Sequence, residues 1–192
     1  MLGLSFLGEY HPVIRPQQPD WRIASKYDSS DQLLGLTNEG LAEVDPLATN
    51  LLVAQGLPEV GELDIPRYQI IVNDWADEFR DRCLPDWEKH YHRSPEEYGH
   101  HVWLYRLGMI TRYLDQYCKI TYDPDLKGSS PDGNPSHTVV RYSNASELFL
   151  HGIIDTRKGT CGNMATLHVA IGWRLGWPVS LACVSSHYNY AI

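Results

Sequence analysis

No run of apolar residues in this sequence approaches the roughly 20 needed to cross a bilayer, so a membrane-spanning helix is not expected. There is no CxxC pair. The four cysteines, Cys83, Cys118, Cys161 and Cys183, are widely spaced. Without a secretory signal such spacing does not read as a disulfide framework. Basic residues are in the minority: 16 Lys and Arg against 24 Asp and Glu leave a formal net charge of −8. That balance argues against nucleic acid or an anionic membrane as partner, since both reward clustered cations. The apolar stretch Met1–Leu7 is short and no basic residue precedes it, so no signal peptide is read and a reducing cytoplasmic compartment is expected. Internal repeats and low-complexity blocks are also lacking.

The chain does have the composition of an ordinary globular domain. Its 192 residues are 43% hydrophobic and 21% charged, enough for one domain with a sizeable core. Residues 1–43 read as an N-terminal arm packed on a domain spanning 44–192. The arm's first part, to Asp31, is rich in Pro, Tyr and Trp. His11-Pro12, Arg15-Pro16 and Pro19 favour extended or turn backbone, and Trp21 or Ile23 would anchor it. The plainer reading is a partly disordered tail.

Helical signals begin at Asp45-Pro46, a cap followed by proline at the first helical position. Leu47, Leu51, Leu52 and Ala54 form its apolar face, and Gly56-Leu57-Pro58 stops it. Asp64-Ile65-Pro66 opens a second helix whose stripe of Tyr68, Ile71, Val72, Trp75 and Phe79 runs to about Cys83. Ser94-Pro95-Glu96-Glu97 is expected to open a third, with Trp103, Leu107, Ile110 and Leu114 facing the core. Residues 123–137 are dense in Asp, Gly, Ser and Pro and read as a loop, either a substrate-side rim or a solvated connector. Asn144 to Ile153 reads as a short helix with Leu148, Phe149 and Ile153 turned inward.

The stretch Arg157–Tyr188, RKGTCGNMATLHVAIGWRLGWPVSLACVSSHY, carries the chemistry. Two glycines bracket Cys161 just ahead of a helical pattern of Met164, Leu167, Ile171 and Leu175. Gly176 and Pro178 end that helix, and Val179–Val184 reads as a strand. A helix over Asn163–Leu175 runs about 20 Å one way, and a strand over Val179–Ser186 returns about 25 Å. The reversal is expected to set His187 beside Cys161. A helix start and a nearby imidazole both favour a thiolate, and a Cys–His pair is the minimum machinery for nucleophilic acyl chemistry.

GTCGNMATLHVAIGWRLGWPVSLA followed by SSHY resembles the core of the transglutaminase-like superfamily, and within it bacterial proteins related to the SirB1 group. DPLATNLLVAQGLPEVGELDIPRYQIIVNDWADEF is similar to the helical N-terminal part of the same family, so the likeness covers about Asp45 to His187. The resemblance implies an α+β fold: a helical N-terminal half, then a Cys-bearing helix packed on an antiparallel sheet, with a papain-like arrangement of active residues. It implies Cys161 as nucleophile, His187 as base, a peptide or protein amide as substrate, and neither metal nor organic cofactor. It also implies an Asp or Asn on the next strand. The chain ends at Ile192, five residues after His187, so that residue is expected beyond it and the sheet is expected to be incomplete. Tyr188–Ile192 would then present an edge able to pair with a second copy as a homodimer. The competing reading keeps the fold as a non-catalytic scaffold or protein-interaction domain.

Other candidates weigh less. Cys183 alternates with Val179 and Leu181 on the strand and reads as core, and Cys83 and Cys118 end apolar stripes. His168 lies within the Cys161 helix and reads as a satisfied helix residue. His90, His92, His100 and His101 cluster near Glu96 and Glu97, but no HExxH-type spacing occurs and adjacent His100 and His101 cannot face one point from a helix. An oxyanion site would use the Cys161 backbone N–H and a second donor, with Gln116, Tyr117 and Tyr122 as candidates.

Overall fold

A computed structural model describes residues 26–123, 127–128, 137–138, 144–184 and 188–191. The chain is α+β and mainly helical. Two short helices come first, α1 (Ser30–Leu34) and α2 (Asn38–Leu41). Leu33 packs with Val44 and Leu52, and Tyr27 leans on that cluster. The expected anchors Trp21 and Ile23 lie outside the described residues.

Helix α3 (Pro46–Gln55) starts where the sequence places it, with the Asp45 carboxylate accepting from the Leu47 N–H at 3.0 Å and Pro46 in the first turn. Leu47, Leu51, Leu52 and Ala54 are all buried. Helix α4 (Ile65–Glu78) is capped in the same way by Asp64, which accepts from the Arg67 N–H. The helix then continues through one wide π turn, Phe79–Cys83, into α5 (Leu84–Arg93). Pro85 accounts for that widening: it has no N–H to give the preceding turn and its ring needs the room.

The third predicted helix is split. Pro95–Tyr98 makes only a 3₁₀ turn. Gly99 and His100 then both take positive φ, 58° and 61°, and α6 (Val102–Gln116) begins afresh. Ile110 and Leu114 face the core as expected, joined by Met109 and Tyr113, but Trp103 is 42% exposed. Trp103 instead covers the Arg106 guanidinium, 4.8 Å from its ring, while Arg106 is paired with Glu88. A partly exposed aromatic is held there by a cation rather than by the core.

The helix expected from Asn144 is also broken, into α7 (Ala145–Leu148) and α8 (Leu150–Thr156), with extended backbone at Phe149. Gly152 shows why. A Cβ at that position would fall on the Ser146 carbonyl, so α8 folds back tightly against α7. Leu150, Ile153 and Ile154 reach the core, whereas Phe149 stays half-buried.

The β structure consists of separate two-stranded ladders. β1 (Thr121–Tyr122) pairs in parallel with β4 (Lys158–Gly159). β2 (Lys127–Gly128) and β3 (His137–Thr138) pair antiparallel within the expected 123–137 loop. β5 (Leu181–Val184) pairs antiparallel with β6 (Tyr188–Ala191), with Val184 opposite Tyr188 and Leu181 opposite Ala191. Helix α9 (Cys161–Arg174) lies between α3, α4, α6 and α8 on one side and β6 on another.

The core centres on Phe79, set edge-on against Trp87, Tyr113 and Trp177 at 5.4–5.9 Å, with Ile110, Leu167 and Ile171 around it. Two glycines let elements close on it. A Cβ at Gly172 would sit 2.7 Å from Val179 Cγ2, so the chain leaving α9 can fold onto that helix only over glycine. The turn itself uses Gly176 at φ +74°, with the Trp177 N–H donating to the Gly172 carbonyl at 2.8 Å. The Trp173 indole N–H then donates to the Val179 carbonyl at 2.7 Å, tying the returning chain to the helix it has left.

One buried ion pair orients α9. Arg174 and Asp45 have side chains only 3% and 8% exposed and meet in a two-point contact at 3.1 and 2.8 Å. Arg174 also donates to Asn73 Oδ1 and to the Ala170 carbonyl, so each nitrogen of the guanidinium has an acceptor. The last turn of α9 is thereby fastened to the starts of α3 and mid-α4. No helix among the described residues is long and apolar enough to cross a membrane.

Candidate active site

Cys161 stands one turn earlier in helix geometry than the sequence pattern suggests. The apolar spacing begins at Met164, but α9 begins at Cys161 itself, because Thr160 is the N-cap. Its Oγ1 accepts from the Asn163 N–H at 3.4 Å, and Asn163 Oδ1 accepts from the Thr160 N–H at 2.7 Å, a reciprocal box. Both residues are buried. Their remaining donors converge on one acceptor, the Glu147 carbonyl, which receives Thr160 Oγ1 at 2.8 Å and Asn163 Nδ2 at 3.2 Å. The start of α9 is thus bolted to α7, and Cys161 follows as its first residue, half-buried. Thr-x-x-Asn is the sequence signal for this network. It passes unnoticed when the helix is started at Asn163.

The residues just before Cys161 are held equally firmly. Arg157 ends α8 in the left-handed region, φ 62°. Its guanidinium lies 4.8 Å over the Trp75 ring, which offsets part of the cost of that conformation. β4 then pairs with β1: the Thr121 N–H donates to the Arg157 carbonyl at 3.0 Å and the Asp123 N–H to the Gly159 carbonyl at 2.8 Å. Tyr122 is opposite Gly159, two residues ahead of Cys161. Lys158 Nζ sits 3.6 Å from Asp123 Oδ1.

The two glycines that bracket Cys161 differ in kind. A Cβ at Gly159 would overlap Met164 and lie 2.7 Å from Ile153 Cδ1, so a larger residue there would force those side chains to move. Among the described residues, the one atom within 4 Å of a Cβ at Gly162 would be Thr160 Oγ1, at 3.9 Å. Packing among them does not require glycine at 162.

His187 lies outside the described residues. What is described is the hairpin on either side of it, β5 ending at Val184 and β6 starting at Tyr188. Ser180 and Leu181 line one groove with Thr166, Val169 and Trp173 of α9. From Leu181 to Val184 is about 10 Å of extended chain. From Thr166 back to Cys161 is about 7.5 Å of helix. Both β5 and the returning β6 pack against α9. β6, rather than the expected β5, is the strand that runs along the helix.

Of the candidates for a second oxyanion donor, the structure brings only Tyr122 to the Cys161 segment. Gln116 and Tyr117 are at the far end of α6, exposed; Tyr117 stacks on Tyr113 at 5.5 Å and carries Arg82 at 5.1 Å from its ring. His168 is buried and occupied. Its Nδ1–H donates to the Met164 carbonyl at 2.8 Å, and Nε2 faces the Thr111 hydroxyl at 2.9 Å. Burial holds its pKa below the ordinary value, so the ring stays neutral. Cys83 and Cys118 are packing residues: both are buried, and burial pushes both thiols up, Cys118 to about 11. The backbone of Cys183 is on β5. His90, His92, His100 and His101 are all exposed, and no group of three or more His, Cys, Asp or Glu side chains able to hold a metal forms among the described residues.

Compared with models of protein families, with curated proteins and with solved structures, the chain matches none.

Proposed function

We propose that this chain is a transglutaminase-like thiol domain in which Cys161 attacks the carbonyl of a carboxamide or ester and His187 moves the proton. The observation that carries the reading is the placement of Cys161: first residue of a 14-residue helix, half-buried, at an end locked by the Thr160–Asn163 box. A helix start offers backbone N–H groups and the positive end of the dipole to both a thiolate and an oxyanion. The packing of the β5–β6 hairpin against α9 supports His187 as the neighbour, and Tyr122, whose backbone pairs beside Gly159, is the candidate further donor. On this reading β5, β6 and α9 are the start of the Cys-bearing helix and antiparallel sheet of that fold.

In the reaction, the Cys161 sulfur forms a bond to the carbonyl carbon while the C–N or C–O bond breaks. The proton held by His187 goes to the departing amine or alcohol. Water, or a second amine, then attacks the thioester, gives its proton to His187 and releases the thiolate. Water yields hydrolysis and an amine yields a crosslink. The substrate is a peptide or protein amide, and no metal or organic cofactor takes part.

The test is acylation by p-nitrophenyl acetate followed by peptide mapping. The reading expects an acetyl group on Cys161 that forms in the native chain, is lost in Cys161→Ser and is strongly slowed in His187→Ala. Absence of an adduct at Cys161, or equal labelling in urea, refutes it in favour of a non-catalytic scaffold.

A further inference from the structure

His168 is a buried titratable group that the chemistry assigned to Cys161 does not use. It stands on α9 and faces Thr111 of α6. The Met164 carbonyl, 2.8 Å from Nδ1, can only accept, so Nδ1 carries a hydrogen in either charge state of the ring. In the neutral ring Nε2 is then an acceptor, and the Thr111 hydroxyl, 2.9 Å away, must donate to it. In the charged ring Nε2 is a donor, and Thr111 Oγ1 must accept.

Thr111 can serve both states because its hydrogen has a second place to go. The Leu107 carbonyl lies 3.1 Å from Oγ1. With His168 neutral, the hydroxyl points at Nε2. With His168 charged, it turns to Leu107 and leaves a lone pair for the Nε2–H. The ring nitrogens and the hydroxyl keep partners in both states, which is what a buried group needs to change charge without opening the fold. Thr111 is itself exposed, so the buried ring meets solvent through one hydroxyl.

Among the described residues no charged side chain sets the state of this ring: burial opposes its charge and the Met164 carbonyl favours it. The ionisable groups on the elements packed against α9 are paired, exposed or neutral. On α6, Arg106 pairs with Glu88, Arg112 lies over Trp87, Tyr113 donates to Glu78 of α4, and Asp115, one turn beyond Thr111, is exposed. Asp155 of α8 takes Tyr68 and Arg67 of α4, where Asp77 pairs with Arg80 and Asp74 is exposed. Burial keeps His151 of α8 on the neutral side. Asp45, ahead of α3, pairs with Arg174, Lys158 of β4 with Asp123, and Glu147 of α7 with the Asn144 amide. The ionisable residues of β5 and β6 are Cys183, Tyr188 and Tyr190.

We propose that Thr111 is a hydroxyl switch that lets His168 gain and lose a proton in place, keeping α6 joined to α9 in both charge states. This is independent of the chemistry assigned to Cys161.

The experiment follows the His168 ring by proton–nitrogen NMR in the full labelled chain as pH is lowered from about 8 to about 4. His168→Gln assigns the signal, and the parent is compared with Thr111→Ser and Thr111→Val. Position 111 is exposed, so neither change threatens the fold. The parent should show the Nδ1–H tautomer above its midpoint and the doubly protonated ring below it, with the amides of α6 and α9 protected from exchange throughout. Thr111→Ser should leave the midpoint where it is. Thr111→Val, which has no oxygen to accept the Nε2–H, should lower it by about one pH unit, a tenfold weaker hold on the proton. A midpoint unmoved by Thr111→Val overturns the proposal, as does an Nε2–H tautomer in the neutral parent. So does a parent whose α6 and α9 amides lose protection as the ring charges, or which unfolds before the ring takes its proton.

Discussion

Replacing Asp45 with alanine strips the buried Arg174 guanidinium of its counter-charge. The side chains are 3% and 8% exposed, so solvent cannot take over the role. Breaking one partner of a buried pair costs roughly 3–5 kcal/mol, most of it the penalty of an uncompensated buried charge. Arg174 keeps Asn73 Oδ1 and the Ala170 carbonyl as acceptors, which argues for the low end, about 3 kcal/mol. Asp45 also caps α3 through the Leu47 N–H, which adds about 1 kcal/mol. The expected total is about 4 kcal/mol, or a melting temperature lower by about 10 °C for a chain of this size. Asp45→Asn keeps one oxygen for the Leu47 N–H and Arg174 Nη1 but turns an NH2 donor toward Arg174 Nη2 and loses the charge, so it should cost about 3 kcal/mol, less than alanine chiefly by the retained cap. The double change Asp45→Leu with Arg174→Met removes both charges and should lie within about 2 kcal/mol of the parent, whereas each of its single changes should cost about 3–4 kcal/mol, so the double falls short of their sum by about 4 kcal/mol or more. Urea unfolding followed by circular dichroism at pH 7 measures the parent, Asp45→Ala, Asp45→Asn, Asp45→Leu, Arg174→Met and the double change. A cost below about 1 kcal/mol for Asp45→Ala, or strictly additive double-mutant values, refutes the reasoning that this pair fixes the far end of α9.

Gly152→Ala should cost at least about 3 kcal/mol, since its Cβ meets backbone at the Ser146 carbonyl, whereas Gly162→Ala should cost under about 1 kcal/mol, because among the described residues its Cβ meets nothing closer than 3.9 Å; melting curves separate the two, and equal losses contradict the account. Thr160→Ala should destabilise by about 1–2 kcal/mol and Thr160→Ser by little, because the hydroxyl both caps α9 and serves the Glu147 carbonyl; equal losses would deny the cap. Stability should also fall between pH 7 and 5. Burial lowers the pKa of His168 and His151 in the folded chain, so below about 6.5 the unfolded state binds protons that the folded state does not. The contribution is intact above that pH and is lost as pH falls towards the folded values. His168→Gln should flatten the slope of urea midpoint against pH, and an unchanged slope removes His168 from the explanation.

The helix starts at Asp45-Pro46 and Asp64-Ile65 were legible in the sequence because each depends on a cap and a proline that act locally. Gly56 and Gly176 as stops were legible for the same reason. What failed was whatever a distant partner decides. Trp103 has helical spacing with Ile110 and Leu114, but Arg106 and Trp177 hold it at the surface. The break at Phe149 depends on Gly152 meeting Ser146 across a fold-back, which periodicity does not encode. The two successive left-handed residues, Gly99 and His100, interrupt a helix whose proline and acids look like a clean start. At the candidate site, the chain reversal at Gly176–Pro178 was readable, and so was the nearness of Cys161 to a helix start. The Thr160–Asn163–Glu147 bolt was not, because its third member is a backbone carbonyl contributed by another helix.

The pairing of sulfur with imidazole is tested most directly by the rate at which iodoacetamide modifies Cys161 at pH 6–7, mapped by peptide, in the parent chain and in His187→Ala. In the folded parent, Cys83 and Cys118 should stay almost unmodified, since both are buried and both thiols are pushed up. The account predicts that Cys161 is modified first and that loss of His187 slows it by about tenfold or more, with the circular dichroism spectrum unchanged. A Cys161 rate that does not change when His187 is removed contradicts it.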